Sequence, residues 1–158
     1  MAVVQHGDLG LWNIVGHATG FTVIDWESAR PAGLPLWDVA YFLADALGFL
    51  ARPGADDERK LEAMIALLRG ELDTSPVLFE LLAAAASKAR VPAESVGAVV
   101  TLGWLHHGLS AAARTERRAG LGAGAASSTP ALTRALAHRW LTDPELGTGW
   151  RAFRRWAP

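Results

Sequence analysis

No cysteine occurs in the 158 residues. Disulfides and thiolate metal sites are therefore excluded, and a reducing compartment is allowed. No stretch of about 18 uncharged apolar residues is present, which argues against a transmembrane helix. The first residues carry neither the basic start nor the apolar run of a signal peptide. An excess of one charge is missing too. The net charge is −1, which gives no global case for nucleic acid or an anionic membrane as partner. Lysine is scarce, with Lys60 and Lys88 the only two. These absences lead to the expectation of a soluble, cytoplasmic protein.

The apolar share is 51%, enough for a chain of this length to bury a core, and a single domain over 1–158 is expected. The near-neutral total hides an asymmetry. Residues 1–50 set Asp8, Asp25, Glu27, Asp38 and Asp45 against Arg30, a net of −4. Residues 101–158 set eight arginines against Glu116, Asp143 and Glu145, a net of +5. An acidic N-terminal third suits a site for cations or for a metal-bound anion.

Strand signals are confined to the start of the chain. "AVVQ" (2–5) is β-prone, "HGDLGLWN" (6–13) reads as a glycine-bearing loop, and "IVGHATGFTVIDW" (14–26) reads as a hairpin closed by "GHATG". "ESARPAGLP" (27–35) is expected to be loop. Helical periodicity follows over 36–50, 58–72 and 77–90, then over a long segment from 91 to 118. That segment is apolar nearly all round between Val96 and Leu105 and is expected to be central. "AGLGAGAASS" (119–128) is a small-residue loop, 129–141 a fifth helix, and "TDPELGTGWRAFRRWAP" (142–158) a short final helix and tail. The expected class is α+β, mostly α, with the loop and hairpin over 1–30 and a helical part over 34–158.

The chemistry concentrates at the front. Asp8 sits between Gly7 and Gly10, Asn13 lies five residues on, and Asp25 closes the partner strand of the hairpin. A tight hairpin sets the start of its first strand beside the end of its second, so Asn13 and Asp25 can face one site. One carboxylate and one amide oxygen suit Mg2+ held together with substrate phosphates. A separate aspartate near such a metal can orient and deprotonate an attacking hydroxyl. These are the parts of a phosphoryl-transfer site. The bland alternative is that Asp8 and Asn13 are turn formers bonded to their own backbone.

D-x-x-x-x-N, a hairpin and a second aspartate form the pattern of a kinase catalytic loop and metal loop. Here "HGD" and "DWE" stand at its two ends, and "GLPLWDVAYFLA" (33–44) follows. In these features the chain resembles the aminoglycoside phosphotransferase and choline kinase group, small-molecule kinases of protein-kinase-like fold. The detailed match covers residues 2–44. The resemblance implies that Asp8 is the catalytic base, that Asn13 and Asp25 hold Mg2+, and that His6 and Asp38 support the catalytic loop. It further implies that Glu27 contacts metal-bound water or substrate. Trp12 stands where the family usually has a small residue, and it either lines the acceptor site or plugs the space beneath the loop. ATP and a small hydroxyl compound are the implied substrates.

Other residues have plainer readings. His106 and His107 are adjacent on the long helix, about 100° apart, so they do not easily face one site; they are expected to be buried or interfacial rather than metal ligands, with a place in the acceptor cleft left open by the resemblance. The tryptophans other than Trp12 are expected in the core or as surface anchors, and "RAFRRW" as a solvated face. The nucleotide lobe of such kinases has no counterpart in these residues. "GLGAG" (120–124) has no strand before it and no lysine after it. The expectation is thus the C-terminal lobe of a longer kinase, inactive in isolation. A stand-alone remnant, or a partner for a lobe on a second polypeptide, are the alternatives. In function, the rival is a catalytically silent binding module. A third reading is hydrolysis by an Asp8/Asp25 or Asp25/Glu27 carboxylate pair.

Overall fold

The computed structural model describes residues 3–51, 53–120 and 129–157. Four short strands precede six helices. Strand β1 (Val3–Gln5) leads into the loop, and β2 (Ile14–His17) and β3 (Gly20–Val23) form the expected hairpin. Its register pairs Ile14 with Val23 and His17 with Gly20, so a two-residue turn closes it.

A fourth strand, β4 (Arg30–Gly33), lies within the segment expected to be loop. It pairs antiparallel with β1, Val3 opposite Gly33 and Gln5 opposite Arg30, with a register irregularity between them. Pro31 is tolerated because a two-stranded sheet has only edge strands. The pairing is helped by the buried Gln5 side chain, whose Oε1 accepts from the Leu34 amide at 3.0 Å.

Helix α1 (Trp37–Ala51) follows directly, and α2 (Asp57–Arg69) starts at Asp56, whose carboxylate accepts from the Arg59 amide at 2.9 Å. Gly70 ends α2 in the left-handed region, φ 80°. Helices α3 (Ser75–Lys88), α4 (Val96–Gly120), α5 (Thr129–Thr142) and α6 (Arg151–Trp156) complete the described chain. Residues 121–128 of the small-residue loop lie outside the described residues.

The core runs through the helices. α4 contributes Val96, Val100, Trp104 and Ala111, all buried. It is not apolar-covered all round, because Leu102 and Leu109, two turns apart, are 51% and 69% exposed. Near α6 the rings of Trp150 and Phe153 stack at 5.1 Å, with Trp140 and Phe79 edge-on to Trp150. The indole N–H groups of these two tryptophans are satisfied: Trp140 donates to Thr101 Oγ1 at 2.8 Å and Trp150 to the Leu68 carbonyl at 2.7 Å. Arg151 and Arg155 of "RAFRRW" pair with Glu145 at 3.2 and 3.1 Å.

Arg69 at the end of α2 holds Asp143, just after α5, through Nε at 3.0 Å and also through Nη2. Burial alone would raise the Asp143 carboxyl. The Glu145 amide and the Arg69 guanidinium outweigh it and hold the group below the ordinary carboxylate range. Its contribution is present above the unfolded pKa and lost as pH falls through the lowered folded value. Asp143→Ala is expected to cost about 3 kcal/mol at neutral pH, because it leaves Arg69 without its principal partner. In urea unfolding across pH, the deficit should shrink toward acid.

Candidate functional site

The loop between β1 and β2 is held by backbone groups first. The Asp8 carbonyl accepts from the Gly10 amide at 3.0 Å and from Asn13 Nδ2 at 2.8 Å. The Asn13 amide in turn donates to the Gly10 carbonyl at 3.1 Å. Gly7 has φ +87°, and a Cβ there would lie 2.9 Å from the Ser28 carbonyl oxygen, so the position requires glycine. A Cβ at Gly10 would run into the Trp12 indole.

Helix α1 fastens this loop with two carboxylates. Asp38 accepts from the His6 amide at 2.6 Å and the Gly7 amide at 2.9 Å. Asp45 accepts from the Leu11 amide at 2.9 Å. The two aspartates are seven residues apart, two helical turns, and so share one face. The sequence reading placed Asp38 here but used Asp45 only in the charge count. Its signal was an aspartate at heptad spacing from another on an otherwise apolar helix.

His6 joins the loop to the hairpin. Its ring is buried at 2% exposure. Nδ1 accepts from the Asp8 amide at 3.3 Å, so the proton sits on Nε2, which donates to the Ile24 carbonyl at 2.8 Å. The Trp26 ring meets the imidazole edge-on at 4.7 Å. The residue therefore ties the Asp8 amide to the strand end next to Asp25.

Asn13 and Asp25 stand at the open mouth of the hairpin. Asn13 is buried, and its carbonyl accepts from the Ile24 amide at 3.0 Å. Asp25 is exposed and left-handed, φ 61° and ψ 59°, immediately before the short 3-10 turn Trp26–Ser28 that carries Glu27. Aspartate tolerates this conformation better than most side chains, yet it is a sparsely populated one, of the kind found where function constrains the backbone.

Asp8 lines a cleft of about 130 Å³ with Gly7, Ser28, Arg30, His106, His107 and Ser110 among its walls. Both histidines thus reach one site, contrary to the expectation from their 100° separation. Their rings lie 6.4 Å apart, and each contacts the Trp37 ring, at 4.4 Å for His106 and 5.0 Å for His107. His107 also stacks on Tyr41 at 4.2 Å. Arg30 and Ser110 are cleft residues the sequence reading did not single out.

Trp12 is on the other side of the loop. It lines a cavity of about 500 Å³ that includes Leu11, Tyr41, Asp45 and Trp104 but not Asp8. Burial raises the Asp45 carboxyl above its ordinary value, against the Leu11 amide and the Lys60 charge, which pull it down. A raised folded pKa means the native state binds the proton more tightly than the unfolded chain. Stability is then lost as pH rises from the unfolded toward the folded value. Asp45→Asn keeps an oxygen for the Leu11 amide and removes the charge. It is expected to raise the thermal midpoint at neutral pH, with the gain vanishing below the ordinary carboxylate pKa.

Among the described residues no group of three or more His, Cys, Asp or Glu side chains is placed to hold a metal ion. Among the described residues, no helix is long and apolar enough to cross a membrane. Comparison of the chain with protein-family models, with curated proteins and with solved structures found no match.

Proposed function

We propose that the chain is the C-terminal lobe of a small-molecule kinase of protein-kinase-like fold, transferring the γ-phosphate of ATP to a hydroxyl group. The carrying observation is the loop 6–13 itself. Two of its amides are clamped by Asp38, and the Asn13 amide nitrogen is spent on the Asp8 carbonyl. That leaves Asn13 Oδ1 for coordination, and the exposed Asp25 follows Ile24, whose amide donates to the Asn13 carbonyl at the hairpin mouth. One amide oxygen and one carboxylate supply two oxygen ligands to Mg2+, and the nucleotide phosphates supply others. Asp8, on the cleft side, accepts the proton of the attacking hydroxyl. Arg30 on the same cleft offers a cation for charge developing on the transferred group.

A nucleotide-binding lobe is the proposed partner, whether on the same polypeptide or another. It would cover the apolar side chains that the strand region exposes, Val4, Phe21, Ile24 and Trp26. Without it, turnover by the isolated 158 residues is expected to be negligible. Calorimetric titration with ATP tests the reading against a catalytically silent module. The kinase reading expects saturable binding that requires Mg2+ and is weakened at least about tenfold, or 1.4 kcal/mol, by Asp25→Asn. Heat that does not saturate, or binding indifferent to Mg2+, favours the silent module.

A further inference from the structure

Helix α4 carries two seams of the same spacing. One is used. Thr101 Oγ1 accepts from the Trp140 indole, the Trp104 and Trp140 rings lie 6.3 Å apart, and a Cβ on Gly108 would lie 2.7 Å from the Ala137 Cβ. Positions 101, 104 and 108 therefore face α5. The other seam is this pattern moved on by one residue, which turns it about 100° around the helix. Ala98, Leu102, Leu105, Leu109 and Ala112 recur at intervals of 4, 3, 4 and 3. Ala98, Leu102 and Leu109 are exposed, and Leu105 and Ala112 are half-buried. An apolar repeat of 3.5 residues is the pattern of a helix that packs lengthwise on another helix.

Charge narrows the choice of partner. No Asp, Glu, Lys or Arg occurs between Glu94 and Arg114, so the stripe has nothing to pair with a charged peptide or a phosphate-bearing surface. A second copy of the chain brings an equally neutral face. Its shape fits as well. Let two α4 helices run antiparallel, with a two-fold axis between positions 102 and 105. Leu105 then packs against Leu102 of the second copy, and Leu109 against its small Ala98. Beside this end of α4, where Thr148 lies against Gly97, is a groove of about 400 Å³ walled by Thr101, Leu141, Leu146 and Thr148. It has room for the incoming leucine. Its charged members, Asp143 and Arg151, are already paired with Arg69 and Glu145. The first charge to interrupt the repeat is Glu116, four residues after Ala112 and exposed. In a parallel pair it would meet its own copy, like against like. The antiparallel register sets it opposite position 91, beside Arg90 of the second copy.

We infer that α4 pairs with α4 of a second copy of this chain, antiparallel and two-fold symmetric, through the stripe from Ala98 to Ala112. The stripe is about 21 Å long, short for a protein interface, so the dimer is expected to be reversible, with Kd on the order of 10–100 µM. His106 and Ser110 of the same helix line the Asp8 cleft, so the cleft of each copy lies next to the seam.

Sedimentation equilibrium of the full chain over about 5–300 µM, without metal or nucleotide, tests this independently of phosphoryl transfer. Leu109→Asp is expected to weaken the dimer at least about tenfold, and Phe21→Asp, on the exposed strand face, to leave it unchanged. Both side chains are 69% exposed, so both variants are expected to stay folded, which thermal melts check. Because the chain has no cysteine, oxidative cross-linking reads the orientation. A mixture of Ala98→Cys and Leu109→Cys chains should form a disulfide-linked dimer much faster than either variant alone. A chain monomeric over the whole range, a dimer indifferent to Leu109→Asp or equally lost in Phe21→Asp, or a mixture that cross-links no faster than its components would overturn the inference.

Discussion

Asp38→Asn is expected to destabilise the chain by about 3 kcal/mol, nearly as much as Asp38→Ala. Asp38 accepts two backbone N–H groups, one on each carboxylate oxygen. Asparagine can accept only one of them, and its amide nitrogen then faces the other donor. The variant also removes a negative charge from the first turn of α1, where the helix dipole favours it. The readout that separates this from general loosening is hydrogen exchange at the His6 and Gly7 amides, which should quicken about 100-fold, the equivalent of 2.7 kcal/mol. Asp45→Asn, on the same face of the same helix, is expected to act in the opposite direction at neutral pH. A loss under 1 kcal/mol for Asp38→Asn would mean that the loop is held by something other than α1.

The second large effect concerns the division of labour between Asp8 and Asp25. In any Mg2+-dependent phosphoryl transfer by this chain, alone or joined to a nucleotide lobe, Asp8→Asn is expected to lower kcat by about 10²- to 10⁴-fold. It should leave metal–nucleotide affinity unchanged, because the Asp8 group bonded to Asn13 is its backbone carbonyl. Asp25→Asn should lower both transfer and affinity. Equal losses of affinity in the two variants would dissolve the proposed roles and leave the carboxylate-pair reading as the better one. Single-turnover kinetics, with affinity measured separately, makes the distinction.

Much of the fold was legible because its signals are local. The hairpin announces itself through β-branched residues around a glycine turn, and α2 through its helical periodicity, although the expected span to residue 72 overruns Gly70, which ends the helix. Strand β4 was not, because Arg30, Pro31, Ala32 and Gly33 have no strand propensity of their own. Their pairing is imposed by β1 and by Gln5, which lie some 30 residues earlier. The exposed stripe of α4 was missed for a related reason: an apolar residue such as Leu102 reads as core until the neighbouring helices are placed.

The candidate site divides the same way. Spacing singled out Asp8, Asn13 and Asp25, and the family resemblance singled out Asp38. Asp45, Arg30 and Ser110 were not legible, because each reaches its cleft or cavity from an element whose position is tertiary. That His106 and His107 line one cleft follows from tertiary packing, since both rings also contact Trp37 of α1.

The most direct measurement is electron paramagnetic resonance of Mn2+ titrated with the chain, with and without ATP, in the native protein and in Asn13→Ala and Asp25→Asn. The account predicts that Mn2+ binds appreciably only when ATP is present, and that each substitution weakens the ternary complex at least about tenfold. A ternary complex of undiminished affinity in both variants, or none in the native chain, would contradict it.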